Sequence, residues 1–150
     1  MRDADVSVEV ASDPLLLGPV RSLVRTYLEA LGIGQDLRDD AVLAVDEACT
    51  NSIRHAYGGP CDRSYWITLR SAPDWVEIEL RDEGNPAPAS KLERKELAPP
   101  PGQEHVVPGG LGVQLIYSVF DDVTFCTGED SGNCVTMRLK RPIALKQTEG

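Results

Sequence analysis

The chain has 150 residues, 41% of them hydrophobic and 26% charged, which suits one globular domain over 1–150 with a single core. A formal charge of −9 argues against a surface built to track phosphate backbones, a task that needs clustered Lys and Arg, so nucleic acid is not an expected partner. No apolar run approaches the roughly 20 residues of a membrane helix, and Met1-Arg2-Asp3-Ala4-Asp5 has no apolar leader core, so the expectation is a soluble cytoplasmic protein with no membrane partner.

Val6, Val8 and Val10 alternate with Ser7 and Glu9, the period of a half-buried strand. Asp13-Pro14 then opens a helix, Asp as cap and Pro at the first helical position. Leu16, Val20, Leu23, Val24, Tyr27 and Leu31 supply its apolar stripe, and Gly32 ends it. A second, longer helix is predicted over 36–57, with Leu37, Ala41, Ala44, Val45, Ala48 and Ser52 on one face and Gly58-Gly59-Pro60 as its stop. Strands over 65–70 and 75–81 flank the turn formers Ser71-Ala72-Pro73-Asp74 and pair antiparallel as a hairpin.

The segment 82–108 is too rich in Pro and Gly for one continuous element, apart from a short helix over 90–97. A loop of that length reads as a lid, placed at about 85–108. Leu111, Leu115, Ile116, Val119 and Phe120 then form a helical stripe. Val123 with Phe125, and Val135, Met137 with Leu139, read as two strands joined around 128–133, and the tail from Pro142 reads as frayed. Strand, helix, helix, strand, strand, lid, helix, strand, strand is the order of an α+β two-layer sandwich. Its sheet is expected to be mixed but mostly antiparallel, with helices on one face.

Cys49, Cys61, Cys126 and Cys134 include no CxxC pair, and His55 and His105 fall at unrelated spacings, so zinc is not expected. Cys126 and Cys134 can face one another across the last hairpin, although a reduced core is the commoner reason for sparse cysteines.

Three dispersed pieces carry the chemistry. On the second helix Glu47, Asn51 and either Arg54 or His55 stack in one polar stripe; alone, this reads as a solvated helix surface. Asp82 ends a strand two positions before Gly84. There a carboxylate can accept from an adenine amino group while glycine lets backbone approach the ring, and the bland alternative is an ordinary turn. Gly109, Gly110, Leu111 and Gly112 open a helix whose free N–H groups and dipole suit phosphate. No Lys-Ser or Lys-Thr follows, so this is not a Walker A loop.

In this order, around a Pro-rich lid, the three pieces resemble the GHKL (Bergerat-fold) ATPases. More narrowly, Val45-Asp46-Glu47-Ala48-Cys49-Thr50-Asn51-Ser52-Ile53-Arg54-His55-Ala56-Tyr57 and Gly109-Gly110-Leu111-Gly112 resemble the RsbW-type bacterial anti-sigma factors that are also serine-protein kinases. The resemblance implies ATP and magnesium as cofactors, Glu47 polarising the attacking hydroxyl, Asn51 holding Mg2+, Asp82 reading adenine with Gly84 beside it, and Gly109 to Gly112 closing the lid. Arg54 is taken as a phosphate-side cation, a salt bridge to Asp46 or Asp40 being the alternative. His55 is taken as a packing or hydrogen-bonding residue near the helix end rather than a catalytic base. Implied partners are a sigma factor and an anti-anti-sigma (STAS-type) protein. For Val20, Leu23, Val24 and Tyr27 a homodimer surface and plain core both stay open.

The chain departs from the family pattern at Pro86, where a second glycine is usual, and at Pro108, where some relatives carry arginine. It departs again at Val135, aligned with a threonine near adenine, while Thr136 points to the other face. The competing function is an ATP-binding partner-switch module without productive phosphoryl transfer.

Overall fold

Alternation with a period of two organises the sheet. The computed structural model describes residues 3–59, 61–94, 110–128 and 131–142. It contains β1 (Val6–Ala11), β2 (Ser64–Ser71), β3 (Trp75–Asp82), β4 (Asp122–Gly128) and β5 (Gly132–Lys140), hydrogen-bonded in the order β1-β2-β3-β5-β4. Every pairing is antiparallel rather than mixed, because β4 and β5 form a hairpin whose second strand lies against β3. Val8, Ile67, Leu80, Val135 and Phe125 form one row across all five strands, and that row faces the core.

The helices are α1 (Leu17–Ala30), α2 (Gln35–Asn51), α3 (Ala89–Leu92) and α4 (Gly110–Val119). Asp13 caps a single 3-10 turn, Pro14–Leu16, by accepting from the Leu15 N–H at 2.9 Å, and α1 follows directly. Val20, Val24 and Leu28 recur every four residues and are buried; Leu23 and Tyr27 pack against the same core, so this chain itself uses the stripe. Fully burying a side chain such as Leu28 or Ile78 contributes roughly 1.5–3 kcal/mol.

On α2, Ala41, Ala44, Val45 and Ala48 are buried as expected, whereas Leu37 is 36% exposed, one turn too early to reach the sheet. The helix also stops being α-helical sooner than predicted. After Asn51 it widens into a π turn, Ser52–Ala56, closed by the Tyr57 N–H donating to the Ser52 carbonyl at 3.1 Å. Helix α4 packs on α2 and buries Val113, Ile116 and, just past its end, Phe120. The predicted helix over 90–97 is the four-residue α3. The remainder of the lid, 95–108, together with Gly109 and the tail past 142, lies outside the described residues.

Candidate functional site

Asp82 is the last residue of β3, two positions past Leu80, so the pleat turns its carboxylate to the inner face, where it is 2% exposed. Asn133 on β5 is its register partner, and Thr127 on β4 is the register partner of Asn133, which puts three polar side chains in one row. Asp82 Oδ1 accepts from the Gly84 N–H at 3.0 Å and from Asn133 Nδ2 at 2.9 Å, and Oδ2 accepts from the Ser52 hydroxyl at 2.9 Å. A carboxylate offers about four acceptor positions. With three filled by protein donors, Asp82 retains one for a donor in the cavity it lines.

Asn133 uses its whole amide. Nδ2 also donates to the Asn85 carbonyl at 2.8 Å, while Oδ1 accepts from the Ala87 N–H at 2.9 Å and from the Thr127 hydroxyl at 2.8 Å. The end of β3, the start of the lid and the β4–β5 hairpin are thereby tied to one side chain. Farther along the lid, Gln114 and Tyr117 of α4 donate to the Glu93 and Leu92 carbonyls at 2.8 Å and 2.6 Å.

Gly84 is required by protein as much as by any ligand. A Cβ there would overlap the Ala56 carbonyl, the same carbonyl that accepts from the Asn85 N–H at 2.8 Å. The π turn delivers Ala56 to that position. Tyr57, next in the chain, donates its hydroxyl to the Ser64 carbonyl at 2.6 Å and accepts from the Glu83 N–H at 2.8 Å; burial pushes its pKa up, so it stays a neutral donor.

Between these elements lies a cavity of about 310 Å3, near the lower end of the roughly 300–1,000 Å3 usual for small-molecule sites. Ala48, Leu80, Val113, Ile116 and Val135 give it apolar walls, while Asn51, Asp82, Asn85 and Asn133 supply polar groups. Apolar walls with one convergent, fully seated carboxylate suit a flat heteroaromatic ring bearing an amino group.

The structure brings Glu47 and Gly112 together: a Cβ on Gly112 would lie 2.8 Å from Glu47 Oε2. Asn51 follows one turn after Glu47 and lines the cavity. Neither side chain has a hydrogen bond or ion pair among the described residues. Gly110 and Leu111 form the first residues of α4. Arg54 is exposed and outside the cavity lining, and among the described residues it forms no ion pair with Asp46 or Asp40, Arg21 being the partner of Asp46 at 2.7 Å. His55, read from sequence as a packing or hydrogen-bonding residue, is exposed and lines the cavity. An i→i+5 turn advances less per residue than an α turn, which carries Arg54 off the Asn51 face and keeps His55 near it.

Val135 occupies the wall expected of the family threonine, and the polar contact comes from Asn133 one pleat earlier. Asn133 and Lys91, which also lines the cavity, were not singled out from sequence, and Ser52 was read there only as part of the buried helix face. A polar residue two positions before an apolar strand position, opposite a strand-terminal Asp, was the available signal for Asn133.

Comparison with known proteins decides the family. The histidine kinase-like ATPase domain family matches residues 10–139. The chain belongs to this family. Within it, the chain is 32% identical over 137 residues to the serine-protein kinase RsbW of Halalkalibacterium halodurans, covering 88% of this chain and 80% of that one. It is 27% identical over 120 residues to the serine-protein kinase RsbW of Bacillus subtilis, covering 79% and 75%. Among solved structures, that of the RsbU and RsbW domains of a Mycobacterium tuberculosis protein superposes with a TM-score of 0.62 at 15% identity. It covers 91% of this chain and 32% of that longer one, and it supports the fold. The RsbW-type resemblance and the α+β sandwich expected from sequence are thus both borne out. No helix among the described residues is long and apolar enough to cross a membrane.

Proposed function

We propose that this histidine kinase-like ATPase domain is a cytoplasmic anti-sigma factor and serine-protein kinase. It binds ATP in the cavity, transfers the terminal phosphate to a serine of a STAS-type anti-anti-sigma protein, and sequesters a sigma factor when that partner is phosphorylated. The observation that carries the reading is Asp82, a buried carboxylate held by Ser52, Gly84 and Asn133 with one acceptor position left. An adenine amino group donates to that position, whereas guanine would present a carbonyl oxygen and repel it.

The phosphates then run toward the start of α4, where Gly110 to Gly112 offer N–H groups. Asn51 contributes a hard amide oxygen suited to magnesium, which takes most of its ligands from water and phosphate oxygens, and no cluster of three metal-ligating side chains occurs among the described residues. Bound there, the ion would offset phosphate charge. Glu47, one turn earlier and beside Gly112, accepts the proton of the attacking serine hydroxyl. Lys91 supplies positive charge from the cavity lining, which His55 shares, and Arg54, being outside it, is free to meet the protein substrate.

Incubation with labelled ATP and a candidate anti-anti-sigma protein tests the proposal. Label on a partner serine is expected. ATP binding with no transferred phosphate would instead favour a partner-switch module.

A further inference from the structure

The inner face of the sheet builds the nucleotide cavity, whose lining Cys126 and Cys134 also reach, while their thiols lie on the outer face. Cys126 on β4 and Cys134 on β5 are register partners. Their ladder neighbours Phe125 and Val135 point into the core, so the pleat turns both cysteines outward. They end the row Glu9, Trp66, Arg81, Cys134, Cys126, along which side chains do touch. Trp66 Nε1 donates to Glu9 at 3.1 Å, and the Arg81 guanidinium lies 5.4 Å from the Trp66 ring centre. Cys126 is exposed and Cys134 partly so. The other two thiols differ: Cys49 is buried and pushed up to about 12 by that burial, and Cys61 lies ahead of β2.

Antiparallel partners hold their Cα atoms about 4.5–5.5 Å apart, within the roughly 4.4–6.8 Å that disulfides span. A bond can therefore form with only a small local movement of the two strands. We propose that Cys126 and Cys134 are a dithiol modification site, closed to an intramolecular disulfide by low-molecular-weight disulfides, and that closure weakens nucleotide binding through the adjacent Asn133. The second half rests on the cavity being a nucleotide site.

Exposed Cys126 reacts first. As a thiolate it attacks the small disulfide, forming a mixed disulfide and releasing one small thiolate. Cys134 then gives up its proton, attacks the Cys126 sulfur and displaces the second small thiolate. The protein dithiol is oxidised by two electrons, and one small disulfide is reduced to two thiols. Burial and the Glu79 carboxylate hold the Cys134 thiol above its ordinary range, against the Thr136 hydroxyl and Arg81, which suits it to the resolving step rather than the first.

Closure draws the two Cβ atoms from about 4.5–5.5 Å to about 3.8 Å. Asn133 and Thr127 are the chain neighbours of Cys134 and Cys126 and are themselves bonded at 2.8 Å, so the movement falls on the amide that seats Asp82.

The test uses the whole chain, reduced and then incubated with oxidised glutathione, with non-reducing peptide mapping by mass spectrometry and ATP titration before and after. The expected result is one Cys126–Cys134 bond with loss of two hydrogens, ATP affinity about fivefold weaker, and recovery with dithiothreitol. Cys126→Ser should form no intramolecular bond and hold its ATP affinity through the treatment. Absence of that bond, a bond to Cys61 in its place, or closure with unchanged affinity would overturn the proposal. Reduced protein that fails to bind ATP would defeat the nucleotide reading and the coupling, while the peptide map would still decide the dithiol site.

Discussion

Replacing Asn133 with Ala removes four hydrogen bonds from one side chain: those to Asp82, Asn85, Ala87 and Thr127. A typical intramolecular hydrogen bond contributes about 1 kcal/mol net. Because Asn133 is only partly buried, water reaches some of the vacated groups, and the total loss of stability should be about 1–2 kcal/mol rather than the full sum. For a domain of this size that lowers Tm by roughly 2–8 °C. The effect on ligand is separable from this. Asp82 Oδ1 keeps only the Gly84 donor, the carboxylate gains freedom to rotate, and the acceptor position left for a base amino group is no longer aimed. Affinity for ATP should fall about tenfold, equivalent to ~1.4 kcal/mol, at temperatures well below the melt. Calorimetric titration alongside thermal unfolding checks both numbers. A lower Tm with unchanged ATP affinity would refute the reasoning, since Asn133 would then serve the hairpin and not the carboxylate.

Three further outcomes follow from the same contacts. Gly84→Ala forces a Cβ into the Ala56 carbonyl and should destabilise the fold by about 1–3 kcal/mol, as overpacking does, read as a lower urea midpoint. Glu47→Gln should leave ATP binding intact and cut phosphoryl transfer by about 10²–10⁴-fold, measured as label on the partner serine; equal rates would remove Glu47 from proton transfer. Tyr27 is pushed up to about 12, first by burial and then by its hydrogen bond to Asp5. A raised tyrosine pKa contributes stability that is complete below about pH 10 and is lost as pH rises toward about 12. Unfolding titrations should show that decline, and Tyr27→Phe should make it shallower, the remainder coming from Tyr57, Tyr65 and Tyr117, whose pKa values burial also raises.

How much was legible in the sequence depended on how local the physics was. The strands announced themselves because Val6, Val8, Val10 and Val135, Met137, Leu139 repeat at the pleat period, and Asp13-Pro14 marked a helix start through its own side chain. Asp82 was legible as a strand-terminal carboxylate near glycine. Its partner was not, because Asn133 reaches it only through the β3–β5 register, a contact between residues 51 apart in the chain. Aligning by family pattern placed the polar contact at Val135, one pleat away. The choice between Arg54 and His55 hung on the π turn, which arises where the end of α2 meets the strand ends through Ser52 and Tyr57, and residue spacing carries no trace of it. Gly84 was singled out for its approach to a ring, yet its nearest constraint is the Ala56 carbonyl.

The central claim is that Asp82 holds an adenine nucleotide in the cavity beside α2. Calorimetric titration of ATP with magnesium into the chain and into Asp82→Ala, with GTP as the competitor base, tests it directly. The account predicts saturable ATP binding, no comparable GTP binding, and loss of the ATP signal in the variant while its far-ultraviolet circular dichroism is retained. Equal ATP binding by both proteins, or none by the unaltered chain, would contradict it.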